Sequence, residues 1–124
     1  MTVRECYASM GADYEDVLNR LASEETVRYF AVKFLSDGSF SDLRAALASG
    51  DMKRAFLAAH TLKGIAQNLG FTRLGDAASV MTEDLRPLQA EPEGDARRKD
   101  APVAAFRRVE NEYARVAAAI RQIK

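Results

Sequence analysis

Apolar residues along this chain recur at intervals of three and four rather than two, and Ala, Leu, Arg, Glu and Lys dominate it. That period and those residue types specify helices and leave almost no strand signal. With 124 residues, the chain has the length of one domain. Such a chain buries roughly two-thirds of its unfolded surface, enough for one real core. Its 48% hydrophobic and 29% charged residues are ordinary for a globular protein. There is no internal repeat and no low-complexity tract.

The helices can be placed from their stop and start signals. A short one is expected around Tyr14–Leu21. Ser23, ahead of Glu24 and Glu25, caps a second to about residue 36, with Val27, Phe30, Ala31, Phe34 and Leu35 on one face. Asp37-Gly38 stops it. A third spans about 40–48, with Leu43, Ala46 and Leu47 inward, and Gly50 ends it. Asp51 caps a long helix over 52–69, closed by Gly70. Thr72 is expected to cap the next, to about residue 89, on a Leu74, Ala78, Met81, Leu85 stripe, with Pro87 near its end. Residues 90–101, rich in charge, read as one long exposed loop. Pro102 suits the first turn of a last helix to about residue 122, with Phe106, Val109, Tyr113, Val116 and Ile120 inward. The Phe30, Phe34, Phe106 and Tyr113 stripe reads as core, not as a cofactor site.

Short connections favour antiparallel neighbours. The expected fold is therefore all-α, an up-and-down antiparallel four-helix bundle made by the last four helices, with one or two additional N-terminal helices covering one end or side. Residues 1–22 are assigned to an N-terminal extension with a short helix, and 23–124 to the bundle.

Charge and ligand counts exclude several functions. Eighteen basic and eighteen acidic residues cancel, so no long-range field draws the chain to nucleic acid or an anionic membrane. Cys6 is the only cysteine and His60 the only histidine. No internal disulfide can form, and the usual nitrogen- or sulfur-rich metal sites are excluded, so no metal is expected. The opening residues lack a secretory apolar stretch, and no run has the roughly 18–20 apolar residues that cross a bilayer. The expectation is a cytoplasmic protein without membrane association.

The 52–69 helix carries the chemistry. Stepping about 100° per residue from His60 gathers Ala58, Leu62, Ile65 and Leu69 on the opposite side. His60 shares its own side with Lys53, Phe56, Lys63, Gly64 and Gln67. A neutral imidazole is a competent nucleophile near neutral pH. Lys63, one turn on, offers a compact charge for phosphoryl oxygens. Gly64 costs a helix interior about 1 kcal/mol relative to Ala, which is explained if something must come close to the backbone beside His60. Close helix packing is the rival explanation. Gln67 is a candidate for hydrogen-bonding a phosphoryl oxygen or the ring. Phe56 and Leu57 flank the histidine face; they either pack under the 24–36 helix or, with Lys53, dock a partner.

The segment His60-Thr61-Leu62-Lys63-Gly64, continued by Asn68, Leu69 and Gly70, resembles the phosphoacceptor motif of histidine-containing phosphotransfer (HPt) domains. Leu43, Leu47, Gly50 and Asp51 upstream, and Leu74 and Ala78 downstream, are similar to that family's packing positions. The resemblance covers about 43–85. It implies a four-helix bundle that accepts a phosphoryl group from a receiver-domain aspartyl phosphate and passes it on. His60 matches the phosphorylated histidine, Lys63 the charge-stabilising lysine and Gly64 the clearance glycine. Ile65 departs from the Ser or Ala usual there, and the wheel turns it toward the core. Implied partners are receiver domains of response regulators or hybrid sensor kinases. Mg²⁺ and the acidic pocket belong to the receiver, so no cofactor is expected here.

Sensor-kinase phosphoacceptor domains carry similar histidines, usually followed by an acidic residue; here Thr61 follows. With no Gly-rich phosphate loop and no room for an ATP-binding domain, the chain should be a phosphoryl carrier without kinase activity. The alternative function is a non-catalytic adaptor that binds a receiver or kinase without accepting phosphate. An unrelated enzyme is disfavoured by the lack of a nucleophile–base pair or acidic dyad. One bundle is complete by itself, so a monomer is expected.

Overall fold

The computed structural model describes residues 1–90 and 102–123. Among them are seven α-helices: α1 (Val3–Ser9), α2 (Tyr14–Leu21), α3 (Glu24–Phe34), α4 (Ser39–Ser49), α5 (Met52–Asn68), α6 (Thr72–Leu85) and α7 (Val103–Ile120), with a 3-10 turn at Pro87–Ala90. The described residues contain no strand. Nearly all of the 90–101 loop lies outside the described residues.

Helices α4 to α7 form the four-helix bundle. Helix α5 packs on α4 and α6, α6 packs on α7, and α7 returns to α4 through the stacked rings of Phe40 and Tyr113, 4.2 Å apart and 9° from parallel. Two links between neighbours are very short, Gly50-Asp51 and Leu69 to Phe71, so those helices run antiparallel. Ser23 and Asp51 cap α3 and α5 by accepting from the Thr26 and Arg54 amides at 3.1 and 3.0 Å. Gly50 and Gly70, at φ +76° and +75°, end α4 and α5. At Gly70 a side chain would also run into Val17.

The core is built from the expected stripes of α4, α6 and α7, while on α5 Leu62 is joined by Ala55, Ala59 and Ala66, which the wheel does not single out. Leu43 and Ala46, then Ala55, Ala59, Leu62 and Ala66, then Leu74, Ala78, Met81 and Leu85, then Val109, are fully buried. A column of rings runs through it: Phe106 and Phe40, Tyr113, Phe34, Phe71, Tyr7 and Tyr14 each meet the next at 4.2–5.9 Å. Between α6 and α7 sits a buried carboxylate, Glu112. Arg73 Nε reaches both its oxygens at 3.0 and 3.1 Å, and Arg115 Nε adds a contact at 3.3 Å. Burial of that charge is tolerated because it is paired.

Several expectations need correcting. Phe30 is not core: it is 39% exposed and lies at the edge of a groove, since only Val27, Ala31 and Phe34 of α3 turn inward. Thr72 does not cap α6. Phe71 occupies the cap position without a side-chain bond, because its ring is anchored between Tyr7 and Phe34. Helix α6 stops at Leu85 rather than near 89. Arg86 keeps helical backbone, φ −51° and ψ −50°, but Pro87 supplies no amide to continue the α-helical ladder, and the chain tightens into the 3-10 turn. Helix α1 is an addition to the helices expected from the sequence, and Thr2 and Glu5 form a capping box around its first turn.

The N-terminal helices close one end of the bundle. Tyr7 is fully buried and donates to the Leu69 carbonyl at 2.6 Å. Arg20 on α2 donates to the Asn68 carbonyl at 2.8 and 3.1 Å. Those carbonyls lie at the end of α5, where intrahelical partners run out. Tyr7→Phe keeps the ring and strands the Leu69 oxygen in the core. Urea unfolding should show a loss of about 1–3 kcal/mol; an unchanged midpoint would mean the bond contributes nothing net.

Candidate functional site

Helix α5 presents its two sides very differently. Ala55, Ala58, Ala59, Leu62, Ala66 and Leu69 are buried, whereas Lys53, Leu57, His60, Gly64 and Gln67 are exposed. Phe56 and Lys63 are half-buried along the edge between these sides. The imidazole therefore stands outward in the middle of a 17-residue helix anchored at both ends. Among the described residues, no side chain hydrogen-bonds to it.

The residues within one turn of His60 differ in what they bring. Phe56, at i−4, lies nearly parallel to the imidazole, 8° between planes and 6.2 Å between centroids. Lys63, at i+3, is close enough to Glu83 on α6 to help hold that carboxyl below its ordinary range, after the larger effects of Arg86. Leu57, at i−3, is 56% exposed and borders a shallow groove toward α4 with Ser39, Asp42 and Thr61. Thr61 turns its hydroxyl back to the Leu57 carbonyl at 2.9 Å, leaving no donor aimed at His60.

Gly64 separates two explanations for a glycine in a helix interior. A β-carbon built there meets no atom within 4 Å, so nothing in this fold requires glycine at that position. Gly75 on α6 is the contrasting case: a β-carbon there would sit 3.1 Å from Gln67 Cγ, so Gly75 does serve helix packing. The same contact shows that the Gln67 stem lies against α6. Lys53 stands two turns before His60 on the exposed side.

Two placements differ from expectation. Phe56 and Leu57 do not pack under α3. Helix α3 meets only the far end of α5, across a groove of about 420 Å³ edged by Phe30, Lys33, Phe34, Ile65 and Asn68. Ile65 is half-buried at that groove rather than in the core. Phe56 instead faces the end of α6, where the Arg86 guanidinium lies 5.1 Å from its ring centroid. Arg86 and Glu83 went unnoticed in the sequence because Glu-x-x-Arg reads as an ordinary surface pair; only the folding of α6 against α5 brings them to Phe56. Among the described residues, no group of three His, Cys, Asp or Glu could hold a metal ion, and no helix is long and apolar enough to cross a membrane.

A family model described as Hpt domain matches residues 36–119, more than half of the chain. No curated protein matches, and no solved structure does.

The open space at Gly64 makes a testable demand on stability. Gly64→Ala should raise it by about 1 kcal/mol, the helix-propensity difference, because no clash offsets the gain. Chemical denaturation checks this; a destabilised variant would return the glycine to a packing role.

Proposed function

The chain belongs to the Hpt domain family, and from that membership we propose that His60 is its phosphoryl-carrying residue, loaded from the aspartyl phosphate of a receiver domain and unloaded onto another. The family serves histidine phosphotransfer in phosphorelays. The observation that carries the assignment to His60 is its position: the only imidazole in the chain, exposed at mid-helix, with Lys63 and the bare backbone of Gly64 one turn away.

In the loading step, the lone pair of one ring nitrogen attacks phosphorus while the other nitrogen keeps its proton. The bond from phosphorus to the aspartyl oxygen breaks, and the carboxylate leaves with its electron pair. Such transfers need positioning and charge stabilisation more than covalent assistance from the protein. Rigid α5 supplies the first. Lys63 supplies the second, as a cation for the phosphoryl oxygens. Gly64 supplies clearance, since its open surface lets the receiver approach the α5 backbone. Gln67 is the remaining phosphoryl-contact candidate, and Lys53, Phe56 and Leu57 are the docking candidates. An apolar side chain as exposed as Leu57, rimmed by polar groups, suits a transient partner.

A phosphorylated receiver with Mg²⁺ should label the wild-type protein with an acid-labile, base-stable phosphoryl group and leave His60→Gln unlabelled. Wild type as blank as His60→Gln across the receivers of the source genome would remove the reading. Lys63→Ala should fold normally and transfer about tenfold more slowly, equivalent to about 1.4 kcal/mol of lost transition-state stabilisation. Rates equal to wild type would strip Lys63 of its role.

A further inference from the structure

We propose that Phe56 is a positioning residue for His60, a flat platform held by the Glu83–Arg86 pair of α6 that restricts the imidazole to a narrow set of orientations. The proposal rests on the reading of His60 as the phosphoryl carrier and adds what prepares that ring.

An exposed histidine normally samples several rotamers about χ1 and a broad χ2. At His60 the ring lies nearly parallel to Phe56, at a centroid separation of 6.2 Å. That geometry falls in the range of offset aromatic stacking. Helical side chains lean toward the preceding turn, so the i−4 residue is the natural support for a ring at i. Phe56 is itself held from α6, where the Arg86 guanidinium lies 5.1 Å from its centroid, within cation–π range.

Arg86 is fixed in turn. Its Nη2 and Nε donate to the two Glu83 carboxylate oxygens at 2.9 and 3.3 Å. Its amide donates to the Thr82 carbonyl at 3.0 Å, at the residue where α6 ends before Pro87. Lys63 lies close enough to add its pull on the Glu83 carboxyl, behind the larger effects of Arg86. Glu83, Arg86, Phe56 and His60 thus form one connected row across the α5–α6 seam.

A plain packing role would ask only for apolar volume at position 56. A positioning role asks for a ring. Phosphoramidate separates them, because this small donor reacts without docking: its P–N bond breaks, a phosphorus bond to the imidazole nitrogen forms, and ammonia leaves. His60 phosphorylation by phosphoramidate should be about fivefold to tenfold slower in Phe56→Leu and within about twofold of wild type in Phe56→Tyr, scaled to the loss of a preoriented reactant. Arg86→Gln, a change at an exposed side chain, should slow the reaction in the same direction with the fold intact. In NMR spectra, the His60 ring protons should lose their ring-current displacement in Phe56→Leu and keep it in Phe56→Tyr. Should Phe56→Leu fail to fold, Arg86→Gln and the spectra of Phe56→Tyr decide alone. Folded Phe56→Leu or Arg86→Gln reacting at the wild-type rate, or ring-proton shifts untouched by removing the phenyl group, would overturn the positioning role. Wild type left unlabelled by both phosphoramidate and receivers would instead overturn the carrier reading beneath it.

Discussion

The orientation of α5 depends on how small its buried residues are. Ala55, Ala58, Ala59 and Ala66 face the interior and let α4 and α6 approach closely from either side. Large side chains at those positions would overfill the seam, which typically costs 1–3 kcal/mol. With the alanine side committed inward, the helical period leaves His60, Gly64 and Leu57 no direction but outward. The chemistry proposed for this surface is a by-product of the packing beneath it.

Rotation about the helix axis is not the only freedom to be removed. Helix α5 is capped by Asp51 at one end and met by Tyr7 and Arg20 at the other. Arg20 places a cation where the exposed carbonyls and the helix dipole concentrate negative charge. The ring column then ties that end to α1, α3, α4 and α7. On the role proposed for His60, its ring needs a support that does not yield, and among the described residues that support extends through α1, α3, α4 and α7.

Much of this was legible in the sequence, for identifiable reasons. The Leu74, Ala78, Met81, Leu85 stripe and the outward side of His60 follow from a period that any neighbour arrangement respects. Ser23 and Asp51 are caps whose partners lie three residues away. What escaped is non-local. Phe30 looked like core because a wheel shows which residues share a side, not how wide the covered strip is. Thr72 looked like a cap until the ring of Phe71, drawn into the column, took that place. The partner of Phe56 could not be read because Arg86 lies thirty positions on and reaches it only through tertiary packing. Helix α1 left a trace in Thr2 and Glu5, but seven residues offer too few apolar positions to establish a period.

His60 and Gly64 stand exposed on the same side of one helix, within a single turn. On the proposed reading, two receivers cannot share so small a target, so donor and recipient must alternate. The phosphoryl group then waits on the imidazole between the two visits, and its delivery depends on how long a phosphoimidazole survives hydrolysis. An unloaded receiver lingering over the same turn of helix would hold up both exchanges.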